Sequence, residues 1–260
     1  RAVEQHGARL RERDIRNLAA VVIDNREAAV VAYVGNVGLE RREEEGQSVD
    51  ILRSRRSTGS ILKPFLYASL LKEGGLTPLT LVADTPVRYE GFKPENFDRR
   101  FHGAVPARTA LAWSLNVPAV RELRDYGIPR FANRLRQWGM TTLDRSPEDY
   151  GLTLVLGGAE GRLGEIAALY SKLAQLASGV ANGGSEVRLL RDEPERPTPM
   201  KDLGQAAAYL TLQALTAVNR PDEEGFWRNF SSSKWLAWKT GTSFGLRDAW
   251  AVGVTPNFTI

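Results

Sequence analysis

The chain has 260 residues, 35 Lys and Arg against 31 Asp and Glu, and a formal charge of +4, with 42% hydrophobic and 25% charged residues. That is ordinary globular material, enough for one large domain or two small ones. It contains no Cys, which excludes a disulfide framework, a thiol nucleophile and a zinc–thiolate site, and its two histidines, His6 and His102, are too few and too far apart for a His-based metal site. No apolar run reaches the roughly 20 residues of a membrane span. The cluster Arg53-Ser54-Arg55-Arg56 lacks interleaved aromatics and the charge excess is mild, so nucleic acid is not an expected partner. The chain opens on Arg1 without a signal-peptide apolar region and reads as a mature fragment or excised domain.

In chain order, the charged stretch 1–17 predicts a surface helix or linker. Leu18–Ile23 and Ala28–Val34 are apolar, β-branched runs around Asp24-Asn25-Arg26-Glu27, which predicts a hairpin. Glu40–Gln47 reads as a polar loop. Ser60 to Lys72 is apolar at helical spacing, with Pro64 in its first turn and a stop at Gly74-Gly75. Residues 76–105, rich in Gly, Pro and polar groups, read as a long loop. Helical stretches follow at about 106–125, 129–138, 162–178 and 201–218, with a Pro-rich loop at Glu186–Pro199. Strands at Lys234–Gly241 and Asp248–Val254 enclose a short turn, Phe244–Arg247. Strands at both chain ends must meet in one sheet.

Three short segments could carry chemistry. In Ser60-Ile61-Leu62-Lys63 the serine and lysine are one helical turn apart and share a face. A serine at a helix N-terminus offers its N–H to an oxyanion, and a buried, neutral lysine can take its proton. Spacing alone says little, because Ser69–Lys72 and Ser231–Lys234 repeat it, and Ser60 could simply cap the helix. Ser114-Leu115-Asn116 interrupts helical segments just before Pro118, where a turn can aim both side chains into a cleft or merely cap a helix. Lys239-Thr240-Gly241-Thr242 places a cation, hydroxyls and a residue without a side chain along one strand. Such an edge can take an extended peptide and hold a carboxylate, or it can be an ordinary strand end.

All three in this order would arise in roughly one random chain in a few hundred. Together they resemble the Ser-x-x-Lys, Ser-Asp-Asn and Lys-Thr-Gly signature of class A β-lactamases and penicillin-binding proteins, with Leu115 in place of the β-lactamase Asp, which favours the transpeptidase side. The surrounding strings RRSTGSILKPFLYASLL, GAVPARTALAWSLNVPAV, LTLVLGGAEGRLGEIAALYSKLA and WKTGTSFGLRDAWAVGVTPNFTI sharpen the match. Over residues 18–260 the chain resembles the transpeptidase domain of class A penicillin-binding proteins, most closely their 1C-like subgroup. The resemblance implies an α/β fold, an antiparallel sheet flanked by helices on both faces beside a mostly helical subdomain, with the cleft between them. Residues 1–17 would be a linker or N-terminal helix. The chain stops at Ile260 within a strand, before the family's remaining strand and closing helix, so a C-terminal truncation is expected.

The same resemblance implies a D-alanyl-D-alanine transpeptidase acting on peptidoglycan stem peptides, with β-lactams as acylating inhibitors, no cofactor and no metal. Ser60 would be the nucleophile and Lys63 its base, with the N–H groups of Ser60 and Thr242 as oxyanion hole. Ser114 and Lys239 would pass a proton to the leaving group. Asn116 would bind the substrate backbone, Thr240 and Thr242 its carboxylate, and Gly241 would allow close approach. Water in place of an acceptor amine would give carboxypeptidase activity. The parent protein would be membrane-anchored, carry a glycosyltransferase domain and act at the periplasmic face of the bacterial inner membrane. The alternatives are a β-lactam sensor or silent peptide-binding module, and a β-lactamase, which the lack of a Glu-x-x-Leu-Asn pattern near Asp149-Tyr150-Gly151 disfavours.

Overall fold

The computed structural model describes residues 2–37, 46, 48–180, 186–190, 192–194, 200, 202–217 and 235–260. After helix α1 (Ala2–Arg11), the hairpin forms as β1 (Ala20–Asp24) and β2 (Ala29–Val34). Asp24 closes its turn by accepting the N–H groups of Arg26 and Glu27, at 2.9 and 3.3 Å, and Ala28 takes a left-handed φ of 47°. At the other chain end lie β7 (Ala237–Thr242), β8 (Ala249–Val254) and β9 (Phe258–Thr259). The ends combine into one antiparallel sheet of order β2-β1-β9-β8-β7. Among the described residues this order leaves β7, the strand with Lys239 and Gly241, at an edge of the sheet.

The helical part is built around α2 (Lys63–Glu73), whose residues Lys63 to Ser69 are all buried. A helix apolar on nearly every side belongs at the centre of a core. Pro64 begins it and Gly74, at φ 73°, ends it. Around it pack α3 (Ala107–Ala112), α4 (Asn116–Tyr126) and α8 (Gln205–Leu215), with α5 (Ile128–Gln137) against α4. The single predicted stretch 106–125 is therefore two helices, broken at Ser114. A short helix α6 (Pro147–Tyr150) and a 3₁₀ turn over Gly151–Val155 follow.

Helix α7 (Leu163–Ala177) joins core to sheet, packing on α8 and on β1, β8 and β9. Val31, Ala32 and Tyr33 of the outer strand stay exposed. Residues 76–105 depart from expectation. They are not a plain loop but hold the antiparallel pair β4 (Leu81–Asp84) and β5 (Gly103–Pro106). A third small pair, β3 (Arg56–Ser57) with β6 (Glu160–Gly161), ties the approach to Ser60 to the segment before α7. The decoy Ser231–Lys234 and most of Glu40–Gln47 lie outside the described residues, as do parts of Glu186–Pro199.

Phe65 of α2 is wholly buried against Tyr170 of α7, edge to face at 5.0 Å, and against Trp138 at 6.2 Å. The Tyr170 hydroxyl donates to the Ile61 carbonyl oxygen at 2.7 Å, so α7 grips the turn that leads into α2. Tyr170→Phe leaves that buried carbonyl unpaired and should lower unfolding stability by about 1–3 kcal/mol. Urea unfolding measures this, and an unchanged midpoint would contradict it.

Candidate active site

Ser60 stands in a turn just before α2 rather than on its first residue. Bonds from Ile61 N to Thr58 O and from Lys63 N to Ser60 O wind residues 58–63 into the helix. The turn depends on Gly59, at φ 51°, where a side chain would collide with the Thr242 backbone: an added Cβ would lie 2.5 Å from Thr242 N. Gly241 presses from the opposite direction. A Cβ there would lie 2.6 Å from the Thr58 carbonyl oxygen and 3.2 Å from Ser60 N. Strand β7 thus runs backbone to backbone past the Ser60 turn, and both N–H groups proposed for the oxyanion hole belong to these touching segments. Gly157 backs the same turn, its own Cβ position lying 2.9 Å from Gly59 N. The Trp250 indole donates to the Ser57 carbonyl oxygen at 2.7 Å, anchoring β8 to it as well.

Ser114 occupies a position usually given to glycine. It follows the last turn of α3 at φ 56°, with Ser114 N bonded to Leu111 O and Leu115 N to Ala110 O, a helix-terminating pattern that needs a left-handed residue. A non-glycine residue there is strained, by about 1–2 kcal/mol, and such strain collects where a side chain is required. Here the hydroxyl is met by two lysines. Lys239 Nζ donates to Ser114 Oγ at 2.8 Å and to the Thr240 carbonyl oxygen at 2.6 Å. Lys63 Nζ donates to the Ser114 carbonyl oxygen at 2.7 Å, Leu115 O at 3.1 Å, Asn116 Oδ1 at 2.7 Å and, more weakly, Ser114 Oγ at 3.4 Å. No hydrogen bond joins the Lys63 amine to the Ser60 hydroxyl, so the side-chain pairing that the helical spacing allows is not made in this state.

Both lysines are buried, at 3% and 2% exposure, which penalises their charged forms. Burial lowers Lys239 to about 7. Burial and the neighbouring Lys239 together hold Lys63 well below the usual lysine range. Burial therefore shifts both lysines toward the neutral amine, while the oxygen acceptors around Lys63 suit its ammonium form. Thr240 and Thr242 alternate with Lys239 and Gly241 along β7 and stand exposed. Ser69, by contrast, is buried mid-helix and donates to the Phe65 carbonyl oxygen at 2.8 Å, a structural role. Glu148 and Asp149, the carboxylates nearest in sequence to the missing β-lactamase pattern, are occupied in the α6 cap, accepting Ser146 Oγ and Ser146 N.

Sequence reasoning missed the scaffold under Asn116. Asp84, wholly buried at the end of β4, accepts Asn96 Nδ2 at 2.8 and 2.9 Å and the backbone N–H of His102 at 2.9 Å, and pairs with the His102 ring at 2.8 Å. Asn96 in turn accepts the Asn116 N–H at 2.8 Å, capping α4 from outside the helix. Asn116 Nδ2 donates to the Glu95 carbonyl oxygen, which leaves one amide hydrogen free for a ligand. Beside Ser114 opens a cleft of about 250 Å³ lined by Asn96, Phe97, Asp98, His102, Trp113 and Leu115. Among the described residues no cluster of three or more His, Asp or Glu gathers to hold a metal, and no helix is long and apolar enough to cross a membrane.

Comparison places the fold in a known class. The fold superposes on the penicillin-binding protein PonA1 from Mycobacterium tuberculosis with a TM-score of 0.74 at 24% identity, covering 99% of this chain and 70% of that one. The same fold appears in the structure of that protein in complex with penicillin V, at 22% identity and a TM-score of 0.74, covering 99% of this chain and 72% of that one. The model of the penicillin binding protein transpeptidase domain matches residues 18–256, and the chain belongs to that family. It is 38% identical over 244 residues to penicillin-binding protein 1C of Escherichia coli K12, covering 94% of this chain and 30% of the relative. To penicillin-binding protein 1B of Vibrio cholerae it is 30% identical, covering 91% of this chain and 31% of the relative. The chain thus spans about a third of the length of these relatives.

Gly241→Ala tests the backbone contact. The methyl must push β7 from the Ser60 turn by about an ångström, and displacement of that size costs on the order of 10²-fold in reactions that depend on alignment. Covalent labelling by a fluorescent penicillin should slow by that factor with an unchanged circular dichroism spectrum. Labelling at the wild-type rate would mean that the two segments do not act together.

Proposed function

We propose that the chain is a serine D-alanyl-D-alanine transpeptidase domain that cross-links peptidoglycan stem peptides and is acylated by β-lactams. The observation that carries this reading is the meeting of Lys63 and Lys239 on Ser114, next to a serine turn held against the edge strand β7. A stem peptide ending in D-Ala-D-Ala would lie along that edge as an added strand, its terminal carboxylate near Lys239 and the Thr240 and Thr242 hydroxyls. Asn116 would donate its remaining amide hydrogen to the peptide backbone.

Ser60 Oγ attacks the carbonyl carbon of the penultimate D-Ala, and its proton passes to neutral Lys63. The carbonyl electrons move onto oxygen, which the N–H groups of Ser60 and Thr242 receive. Collapse of the tetrahedral intermediate breaks the peptide bond, and the departing D-Ala nitrogen takes a proton from Ser114, which Lys239 replenishes. An amine of a second stem then attacks the ester, its proton passing through Ser114 to Lys239 while Lys63 returns its proton to Ser60 Oγ, which closes the cross-link and restores the site. Attack by water gives a carboxypeptidase product instead. A β-lactam follows the first half only, because its leaving nitrogen stays tethered to the acyl group. The larger protein would be membrane-anchored, with a glycosyltransferase domain, and would work at the periplasmic face of the bacterial inner membrane.

Ser60→Ala should abolish covalent labelling by fluorescent penicillin, and Ser69→Ala should retain it. Mass spectrometry that places the adduct on another residue would overturn the assignment. With stem peptides as substrates, cross-linked product separates a transpeptidase from a sensor, which would acylate and release nothing. Lys63→Ala should slow acylation by about 10²–10⁴-fold without loss of melting temperature. A rate within tenfold of wild type would remove Lys63 from the role of base.

A further inference from the structure

Helix α4 turns one face toward α2. Leu115, Pro118, Ala119 and Glu122 follow one another at helical spacing along it, and across the seam stand Lys63 and Tyr67, one turn apart on α2. Leu115, Pro118, Ala119 and Tyr67 obey the rule for a buried seam, but Glu122 and Lys63 break it. The six residues, with Ala110 and Leu111 of α3, enclose a crevice of about 10 Å³, at the lower limit for a single water molecule. Glu122, partly exposed, and Lys63, buried, line this crevice together, where charges are screened less than in open water.

The direct partners of Lys63 make this placement consequential. All are uncharged: two carbonyl oxygens, an amide oxygen and a hydroxyl. The other cation at the site, Lys239, opposes a charge on Lys63. The charged and titratable groups facing the crevice and its neighbours are Lys63 and Tyr67 on α2, Glu122 on α4, Lys239 on β7 beyond Ser114, and Arg108 on α3, whose charge acts on Tyr67. Glu122 is the sole carboxyl among them. The Tyr67 hydroxyl, buried without a hydrogen-bond partner among the described residues, adds no charge.

We propose that Glu122 is a positioning residue for acyl transfer: across the seam, it is the counter-charge that lets Lys63 keep the proton taken from Ser60 beside a second buried lysine. The inference rests on the transpeptidase reading above. In the acylation step Lys63 changes from amine to ammonium while the Ser60–carbonyl bond forms. A carboxylate behind it stabilises the ammonium and makes the amine a stronger base. The same attraction keeps Lys63 protonated to higher pH, so more alkaline solution is needed to free the amine. Burial raises Glu122 and Lys63 pulls against it, leaving it at about 8, so the two groups titrate as a coupled pair and Glu122 is a full carboxylate toward alkaline solution, where the Lys63 amine is free. Lys239, lowered by burial alone, does not report on Glu122.

The test is the pH profile of the acylation rate constant with fluorescent penicillin, from acidic to alkaline solution, for wild type, Glu122→Gln and Glu122→Leu. Gln keeps the shape and removes the charge, whereas Leu restores the apolar pattern of the seam and should fold at least as well. In both, the acid limb should move to lower pH by about one unit or more. The alkaline plateau should fall roughly three- to tenfold, because the lysine is now a weaker base. Glu122→Asp, which keeps the charge, should hold the limb near its wild-type position. A limb that stays in place, with the rate unchanged or reduced equally at every pH, would mean that Glu122 only fills the seam, and the inference would fall while the transpeptidase reading stood. Failure of the wild type to label at Ser60 at any pH would overturn that reading, and this inference with it.

Discussion

The site depends on bringing two buried ammonium-bearing side chains to one serine hydroxyl. Lys63 and Lys239 come from different layers, the central helix and the sheet edge, and Ser114 is where the layers touch. Placing both charges there would be costly in a region so poor in water. The protein relieves the cost by letting the lysines approach neutrality and by giving each carbonyl oxygens to bind. A neutral buried amine is also what a serine nucleophile requires. The same desolvation that makes the arrangement expensive makes it reactive.

Rigidity elsewhere follows from that requirement. Helix α2 is enclosed by α3, α4 and α8, so Lys63 has little freedom at its base. Ser114 is held in a left-handed conformation by the end of α3 and by α4, whose first N–H group is tied through Asn96 to Asp84. Strand β7 is kept in place by full pairing with β8, and β8 is pinned by Trp250 to the segment before Ser60. Side chains must be held in this way when angstrom-scale placement decides the chemistry.

Much of this was legible in the sequence, and the boundary between what was and was not is physical. The hairpin, the end of α2 at Gly74, the break before Pro118 and the terminal strands are encoded by neighbouring residues: turn formers, a helix stop and β-branched runs. Ser60, Lys63, Ser114, Asn116, Lys239 and Gly241 could be singled out because three short motifs occur together and in order, whereas the Ser-x-x-Lys spacing alone is repeated at Ser69–Lys72. The start of α2 was misplaced by one turn, since the Gly59 and Gly241 contact that shapes it comes from the far end of the chain. Residues 76–105 read as loop because β4 and β5 are short and because Asp84, Asn96 and His102 find one another only after folding. Glu122 offered one local signal, a charge on an otherwise apolar helix face, which gains meaning only when Lys63 is seen opposite.

The wall behind Ser60 is made of main chain. Gly59, Gly157 and Gly241 bring three segments so close that each is barred from carrying a side chain. Natural variation works mainly by exchanging side chains, and here there are none to exchange. A true substrate and an inhibitor that imitates it would meet the same peptide groups at this wall, and a substitution that shut out one would shut out the other. Discrimination would have to come from side chains around it, such as Phe97 and Trp113 beside Ser114 and the exposed Phe244. A wall of main chain offers few substitutions that keep its shape, so an inhibitor that relied on it alone would leave little room for escape.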